Sequence, residues 1–497
     1  MSTLASFPAF GCSAKHPEPS GGPRIAVVGA GIAGLTAAYR LGQAGLSAKV
    51  FDSWNRVGGR MFTAREKLAD QQLTELGGEL IDTDHDALRT LAEELDLTLD
   101  PILETAGSGI RQDTWFFGGR AVSDTEIVEA FRPVARRLKA DVDNEKNEDE
   151  FARIDELGLS AYLDSIQDMD PVLRTLLDVA YVGEYGRELS EQSPWNLLWL
   201  IDSETPDPFR VYGDSDEAFH VRGGNDLITS GLADRLVSPI ELEHQLLSVR
   251  ETAFGTFRLA FDRGGGSSHE EEFDRVVFAL PFTRLRDVEL PGAIPAEKKD
   301  IIANLGMGTN AKLMAQFSER VWRTQHQSSG SVTTDNGLQL LWETSRGMTG
   351  ASGILTVFAG GQIGEQIGEG TAETQLQRRL ARIDEIFPNT AATYIPGSAV
   401  RMHWPTVEHT RGSYTCYLPG QASFSGLEGE RVGNLHFCGE HTSVDYQGYM
   451  NGGAESGERV ATEIMKDLGV EKRARPGASH PKASHPSSSR PLRRAVY

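Results

Sequence analysis

The chain has 497 residues, of which 39 % are hydrophobic, and its 49 Lys and Arg against 71 Asp and Glu give a formal net charge of −22. This length predicts about two to four domains, and the hydrophobic content suffices for a large core. The charge argues against a nucleic-acid partner, which requires a basic face to displace counterions from phosphates. Cys12, Cys416 and Cys438 are too few and too scattered for a disulfide framework or a cysteine zinc site, and we predict no metal site.

The ends of the chain carry little apolar sequence. Residues 1–23 are rich in Ser, Pro and Gly, and residues 469–497 are basic and rich in Pro and Ser, so we predict a disordered leader and a disordered tail. The longest apolar stretch has about 15 residues (25–39), too few to span a membrane. Because no intact signal peptide is visible, we expect a cytoplasmic protein, or one exported with its signal removed.

The first elements in chain order form a βαβ pattern. Residues 25–28 predict a buried strand, residues 32–44 a helix and residues 49–51 a second strand, which together indicate a parallel sheet. The middle of the chain, residues 101–219, is mainly helical in pattern, and its acidic run at residues 141–150 is typical of a solvated helix face or loop. Residues 264–268 predict a hairpin turn between strands at 257–261 and 275–279.

A glycine pattern joins the first strand to the first helix. Gly29 allows a tight turn, Gly31 lets the backbone approach a pyrophosphate, and Gly34 lets helix and strand pack closely. Asp52 ends the second strand, where an acid can bind a ribose hydroxyl. The pattern predicts a dinucleotide site, to which we add the neighbouring Ala33 and Ser53. It does not separate FAD from NAD.

The residues that follow carry a family resemblance. Residues 56–60 read Arg-Val-Gly-Gly-Arg and residues 76–78 read Leu-Gly-Gly. The sequence here resembles the flavin-containing amine oxidase superfamily, which includes monoamine, polyamine and L-amino acid oxidases. The resemblance implies a bound FAD, whose pyrophosphate would be bound by the forked guanidinium of Arg60. It also implies FAD contacts from Gly59, Gly77, Gly78 and Glu79.

Two later segments extend this resemblance. Residues 434–442 resemble the last FAD-binding strand and loop, in which Gly439 and Glu440 would meet the ribityl chain. Residues 446–457 resemble the segment that passes the pyrimidine end of the flavin, with Gly448, Tyr449 and Met450. Leu246 falls where the family's adenine contact lies.

The resemblance implies an α/β fold in separate pieces. A Rossmann-like FAD-binding domain is expected from residues 24–100, 220–305 and 408–468. An α+β substrate domain with a helical insertion is expected from residues 101–219 and 306–407. The resemblance is compatible with a homodimer.

Four residues are expected at the reacting face. Lys312 resembles the family lysine that holds a water near the flavin and assists reaction with O2. Trp404 resembles a tryptophan that lines the flavin, and Tyr414 and Tyr449 match the paired tyrosines of monoamine oxidases. Ser413 stands where those enzymes carry the cysteine bonded to FAD, so we predict non-covalent FAD.

The implied reaction is oxidation of a primary amine or an L-α-amino acid to the imine, with O2 reduced to H2O2. The two substrate classes stay open. Leu80 stands where many L-amino acid oxidases have a carboxylate-binding arginine. The candidate replacements are an arginine from the helical middle and Arg222, and for Arg222 the alternative is that it caps a loop. Glu79 would suit a second amine or accept backbone hydrogen bonds. The alternative function is a flavin dehydrogenase or desaturase that passes electrons to another acceptor.

Overall fold

The computed structural model describes residues 22–66, 68–103 and 109–470. Apart from residues 22, 23, 469 and 470, the predicted leader and tail lie outside the described residues. Within the described residues the strands are β1 (Ile25–Val28), β2 (Ala48–Phe51), β3 (Thr63–Ala64), β4 (Thr74–Glu75), β5 (Leu99–Pro101), β6 (Arg111–Phe117), β7 (Arg120–Val122), β8 (Phe219–Val221), β9 (Ile240–Glu241), β10 (Gln245–Glu251), β11 (Phe257–Asp262), β12 (Ser268–Phe273), β13 (Arg275–Phe278), β14 (Ala311–Phe317), β15 (Ser328–Thr334), β16 (Gln339–Glu343), β17 (Gly353–Ala359), β18 (Val400–His403) and β19 (Leu435–Phe437). The α-helices in the same part of the chain are α1 (Ile32–Gln43), α2 (Asp86–Glu94), α3 (Asp124–Asp143), α4 (Glu148–Asp155), α5 (Leu159–Asp164), α6 (Pro171–Tyr185), α7 (Pro194–Leu198), α8 (Asp226–Asp234), α9 (Phe282–Leu285), α10 (Ala296–Asn304), α11 (Val321–Thr324), α12 (Gly361–Ile367), α13 (Ala372–Ile386) and α14 (Met450–Asp467).

A five-stranded parallel sheet in the order β19-β13-β1-β2-β9 forms the first half of the molecule. β1 pairs in parallel with β2 on one side and with β13 on the other, and all four of its residues are buried. An apolar strand with both faces covered belongs at the centre of such a sheet. The predicted βαβ unit and the α/β class are therefore confirmed. The domain boundaries stay predictions.

Each face of the parallel sheet has its own core. One face is covered by α1 and α14, which share a core with α2 and α8. The two helices meet closely at Gly457, where a Cβ would lie 2.3 Å from the Ala33 carbonyl oxygen. On the other face lies the antiparallel sheet β10-β11-β12, and Phe51 stacks on Phe261 with ring centroids 4.3 Å apart.

A hairpin turn does occur at residues 264–268, but the strand predicted to follow it was wrong. The turn joins β11 to β12, with Phe257 opposite Phe273. The strand that was expected to pair with β11 is β13, which lies in the parallel sheet instead. β12 reads Ser-His-Glu-Glu-Glu-Phe, and because it is largely accessible to solvent it lacks the apolar alternation that marks a strand.

The second half of the molecule contains a seven-stranded sheet, ordered β18-β14-β17-β16-β15-β6-β7. Its pairs are antiparallel except β15 with β6. All seven residues of β14 are buried, so this strand is central to the core that α13 closes.

The middle of the chain is helical as predicted, but it begins with a hairpin that was missed. β6 and β7 precede α3–α7, which have an apolar core of their own. The first three residues of β6 are polar and exposed, and its parallel partner β15 lies about two hundred residues later, so local sequence does not show the strand. The acidic residues 141–150 span the end of α3 and the start of α4 and are mostly solvent-exposed.

Among the helices in the described part of the chain, none combines the length and the apolar character needed to cross a membrane.

Candidate functional site

A cavity opens between the parallel sheet and the seven-stranded sheet. Its empty space is about 2010 Å³, including the opening to solvent. One wall is formed by residues that follow four strands of the parallel sheet: Gly29 after β1, Asp52 after β2, Ala279 after β13 and Gly439 after β19. The opposite wall is formed by residues of the seven-stranded sheet: Lys312, Trp342 and Phe358. The carboxyl edge of a parallel sheet is the usual ligand site of such folds.

The glycine turn after β1 has one closed and one open side. A Cβ at residue 34 would lie 1.9 Å from the carbonyl oxygen of Gly29, so Gly34 is required for helix and strand to pack. Gly31 lines the cavity, and a Cβ there would meet no atom within 4 Å. The first turn of α1 therefore presents bare backbone to the cavity, which suits a phosphate.

Asp52 is held by the backbone around it. Its carboxylate accepts hydrogen bonds from the amides of Ala30, at 2.6 Å, and Trp54, at 2.7 Å. Burial raises the pKa of Asp52 above its usual value, against these two donors. Oγ of the next residue, Ser53, lies 2.9 Å from Nδ1 of His409. This end of the cavity is thus built around a fixed carboxylate.

Arg60 and Glu440 form an ion pair inside the cavity. Nη1 of Arg60 lies 2.8 Å from Oε1 of Glu440 and also donates to the carbonyl of Ser413. Oε2 of Glu440 accepts from the amide of Gly448 at 2.9 Å. Burial alone would raise the pKa of Glu440, but the Arg60 guanidinium outweighs it and the pKa falls below its usual value. The pair ties the β2 loop to the segment before α14.

Two glycines between β4 and the cavity allow close packing. A Cβ at Gly77 would lie 1.7 Å from the carbonyl oxygen of Arg60, and one at Gly78 would lie 2.5 Å from Cγ of Met450. Trp404 is buried, and its Nε1 donates to the carbonyl of Leu76 at 3.1 Å. These contacts bring Trp404 and Met450 to the cavity wall.

Lys312, in the wall of the cavity, is paired with an acid. Its Nζ lies 2.5 Å from Oε2 of Glu79 and donates to the carbonyl of Gly77 at 3.1 Å. Nε1 of Trp342 donates to the other Glu79 oxygen at 3.0 Å. Burial alone would raise the pKa of Glu79, but the Lys312 ammonium lowers it below its usual value. Glu79 is therefore a carboxylate whose charge Lys312 compensates.

Tyr414 and Tyr449 line the same cavity from different segments. The hydroxyl of Tyr414 donates to the carbonyl of Glu184 at the end of α6. The ring of His85 meets the ring of Tyr449 edge-on, with centroids 5.3 Å apart. Burial raises the pKa of each of the two phenol groups well above the usual value for tyrosine, so both side chains are neutral.

Ser413 lies at the wall beside Tyr414, and its hydroxyl donates to Oδ1 of Asn310 at 2.5 Å. Cys416 and Cys438 are both fully buried, away from the cavity wall. Burial raises the pKa of each thiol to about 12. Cys416 is packed in the interior, as we expected.

Most of the residues predicted for the site lie together. The cavity is lined by Gly29, Gly31, Ala33, Asp52, Ser53, Gly59, Arg60, Gly77, Gly78, Glu79, Leu246, Lys312, Trp404, Tyr414, Gly439, Glu440, Gly448, Tyr449 and Met450. Gly34 lies behind this wall, where it packs the helix on the strand. The roles of these residues stay predictions.

Arg222, considered as a carboxylate ligand, lies elsewhere. Its guanidinium pairs with Asp100 at 2.5 Å across β5 and β8 and is largely exposed. It does not line the cavity. The alternative, that Arg222 holds a loop, agrees with its position.

Several lining residues were missed by sequence reasoning. They come from the helical middle, from strand interiors or from loops without a recognised motif, and include Glu184, Tyr185, Glu217, His244, Asn310, Trp342, Phe358 and His409. Glu184 and Tyr185 are the last two residues of α6, and the glycine that follows them, Gly186, is the one local signal that could have placed them at a helix terminus.

Within the described residues, Asp82, Asp84 and His85 bring metal-ligating atoms within 4.8 Å of one another. Nδ1 of His85 accepts from the amide of Asp82 at 3.1 Å, and Nε2 lies 3.3 Å from the Asp82 carboxylate. Because both ring nitrogens are engaged with Asp82, we assign no metal to this group.

Comparisons with known proteins agree with this geometry. A family profile described as flavin containing amine oxidoreductase matches residues 32–465. The amine oxidase [flavin-containing] A of Equus caballus is 22 % identical over 478 residues, covering 90 % of this chain and 85 % of that protein. An L-amino-acid oxidase of Siganus canaliculatus is 23 % identical over 469 residues, with 89 % and 85 % covered.

Solved structures show the same fold. Cyclohexylamine oxidase from Brevibacterium oxydans IH-35A superposes with a TM-score of 0.77 at 21 % identity, covering 90 % of this chain and 99 % of that one. Putrescine oxidase bound to putrescine gives a TM-score of 0.76 at 20 % identity, with 89 % and 99 % covered. Since the family profile spans most of the chain, the protein belongs to the flavin-containing amine oxidoreductases, a family of flavin enzymes that act on amines.

Proposed function

We propose that this protein is an FAD-dependent oxidase that converts a primary amine or an L-α-amino acid to the imine and reduces O2 to H2O2. The observation that carries the proposal is a single cavity that contains the glycine turn, Lys312 and both tyrosines. These groups are far apart in the sequence, and the fold brings them together in one cavity.

The residues present fit FAD. The bare backbone at Gly31 and the N-terminus of α1 would hold the pyrophosphate, and Asp52 the adenosine ribose. Arg60 and Glu440 would lie along the middle of the cofactor, and Gly448 to Met450 at its pyrimidine end. Ser413 in place of a cysteine, and two described cysteines outside the cavity, support non-covalent binding.

Bound FAD would supply the redox chemistry, taking a hydride from the carbon that bears the amine and delivering electrons to O2. The protein orients and encloses the substrate. Tyr414 and Tyr449 are neutral aromatic walls, whose faces attract an amine nitrogen and exclude water. The bonds to Glu79 and Gly77 fix the direction of the Lys312 ammonium, so that it can bind a water molecule in the cavity.

The test uses the purified protein. Cofactor released by denaturation is identified by chromatography, and FAD in the soluble fraction is expected. The holoenzyme is then mixed anaerobically with phenethylamine or L-phenylalanine, which differ only by the carboxylate, and air is admitted. Bleaching of the flavin followed by stoichiometric H2O2 supports an oxidase. Bleaching with no peroxide and slow return of colour in air indicates a dehydrogenase instead. No bleaching by any amine contradicts the proposal.

A further inference from the structure

Two acidic residues line the same cavity as the tyrosines. Glu184, at the end of α6, and Glu217, just before β8, both line the cavity. The Tyr414 hydroxyl binds the backbone of Glu184, and the charge of Glu184 acts on both tyrosines. Glu217 is fixed through its amide, which donates to the Asp82 carboxylate at 2.8 Å.

Neither carboxylate has a partner in the described part of the chain. Glu184 and Glu217 make no side-chain hydrogen bond and no ion pair there, whereas the neighbouring cavity acids Glu79 and Glu440 are each paired with a cation. Glu184 is half-buried and Glu217 is exposed, and both line the cavity. Two neighbouring carboxylates without a counter-charge favour a bound cation.

The electrostatic surroundings agree with this geometry. Enclosure by the protein raises the pKa of Glu184 to about 7, with Asp82 adding to the effect. Enclosure likewise raises the pKa of Glu217 to about 8; Asp82, Glu184 and Asp113 add to it, and Arg346 opposes it. A cation between these acids would stabilise their charged forms.

A substrate carboxylate would find no unpaired cation among the described residues that line the cavity; Arg346, which acts on Glu217, is not one of them. The lysine and arginine side chains that line the described cavity are all engaged: Lys312 with Glu79, Arg60 with Glu440, and Arg284 with Asp287 at 2.9 Å. An α-carboxylate between the tyrosines would instead face Glu184. The cavity therefore disfavours an amino acid and favours a second positive charge.

We propose that Glu184 and Glu217 bind a second ammonium group of the substrate, so that the preferred substrates are diamines or longer polyamines. This inference rests on the proposed amine oxidase function. One amine of the substrate lies between Tyr414 and Tyr449 for oxidation, and the methylene chain leads the other to the two carboxylates. Charge-assisted hydrogen bonds to the distal ammonium then set the affinity.

The first experiment compares matched substrates on the holoenzyme. A ladder of α,ω-diamines from diaminopropane to diaminooctane is paired with n-alkylamines of equal heavy-atom number and with ω-aminoalkanoates. At the best chain length we expect kcat/KM for the diamine to exceed that for the alkylamine about 100-fold, mainly through KM. Aminoalkanoates should be the poorest of the three.

An alkylamine that equals its matched diamine at every length overturns the inference and leaves the oxidase function intact. So does a preference for L-α-amino acids. If no amine bleaches the flavin, the proposed function itself is wrong. The three outcomes are therefore distinguishable in one series of spectra.

The second experiment tests the two residues. In Glu217→Gln and Glu184→Gln we expect the ratio of kcat/KM for the diamine to that for the alkylamine to fall about 10- to 100-fold. Glu217→Asp should restore part of the ratio. Glu297→Gln, at an exposed acid of α10 outside the cavity, should leave the ratio unchanged. If Glu184→Gln does not fold, Glu217→Gln decides alone, and an unchanged ratio there refutes the assignment.

Discussion

Lys312 and Glu79 form an ion pair in which the charge of each residue compensates the other. Lys312 lies on a fully buried strand, and its ammonium is compensated by Glu79, which Trp342 also holds. The pair is neutral overall, yet the ammonium is the end that can polarise a bound water or an oxygen species. The effect on O2 that we propose for Lys312 would therefore be local and depend on orientation.

We predict that Lys312→Met slows reoxidation of the reduced enzyme by O2 about 100-fold, because a preorganised cation is lost. Stopped-flow spectroscopy after anaerobic reduction measures this rate separately from reduction by the amine. The change also leaves Glu79 without its cation. The double variant Glu79→Gln/Lys312→Met removes that complication and should reoxidise as slowly; a double variant with normal reoxidation refutes the role of Lys312.

Glu184 and Glu217 also predict a pH dependence of stability. The folded protein raises their pKa to about 7 and about 8, while both carboxyls have a lower pKa in the unfolded chain. The folded state thus binds more protons, so their contribution is most favourable below about pH 4.5 and is lost as the pH rises toward 8. Asp82, Asp113 and Arg346 are the charged groups that act on them.

Thermal unfolding of the holoenzyme followed by circular dichroism tests this sign. Glu184→Gln/Glu217→Gln should melt close to the wild type at pH 5 and above it at pH 8. The exposed-acid variant Glu297→Gln should track the wild type throughout. A difference that shrinks as the pH rises contradicts the assignment.

At the scale of elements, the start of α1 separates two functions of glycine. Gly34 is enclosed by the strand, and Gly31 faces the cavity. A third glycine in the helix, Gly42, has only an ordinary contact near it, 3.7 Å from Val237. Alanine substitutions at Gly34, at Gly31 just before the helix, and at Gly42 therefore report packing, cofactor approach and the effect of alanine at a site without close contacts.

We predict that Gly34→Ala lowers the free energy of unfolding by about 3 kcal/mol through overpacking. Gly31→Ala should preserve the melting temperature of the cofactor-free protein but weaken FAD binding about 10- to 100-fold, because the new methyl keeps the phosphates from the helix amides. Gly42→Ala should leave the FAD affinity unchanged and raise the free energy of unfolding by up to about 1 kcal/mol, because alanine favours a helix more than glycine does. Differential scanning fluorimetry and a flavin fluorescence titration supply the two readouts; equal FAD affinity in Gly31→Ala would count against the cradle.

The elements also show where sequence reasoning succeeds. β1, α1 and β2 are adjacent in the chain, and their apolar periodicity and glycines suffice to predict them within one residue at each end. β12 and β6 are polar and half-exposed, and β6 pairs with a distant strand, so their formation depends on tertiary pairing.

The same distinction holds within the cavity. Gly29, Arg60 and Tyr449 lie in motifs that local sequence displays. Glu184 and Glu217 lie in the helical middle and in a loop, where an acid reads as a solvated residue. Only the fold shows that they line the same cavity as the tyrosines.

For the whole molecule, the net charge of −22 gives the protein a net negative field. Such a field attracts cationic substrates and is screened by salt, more strongly for two charges than for one. We predict that kcat/KM for a diamine falls about tenfold between about 10 mM and about 500 mM NaCl. The fall for the matched alkylamine should be smaller. Steady-state kinetics across this range test it, and equal slopes for both amines would exclude steering by the second charge.

The order of strands in the parallel sheet has a consequence for biosynthesis. β1 and β2 leave the ribosome first, but β13, β19 and the covering helix α14 follow only after most of the chain. At roughly 5–20 residues per second, the apolar face of α1 waits for tens of seconds before α14 can cover it. The nascent chain therefore has no complete flavin pocket until α14 has been synthesised. Cofactor capture is expected to follow that point and to close the last part of the core.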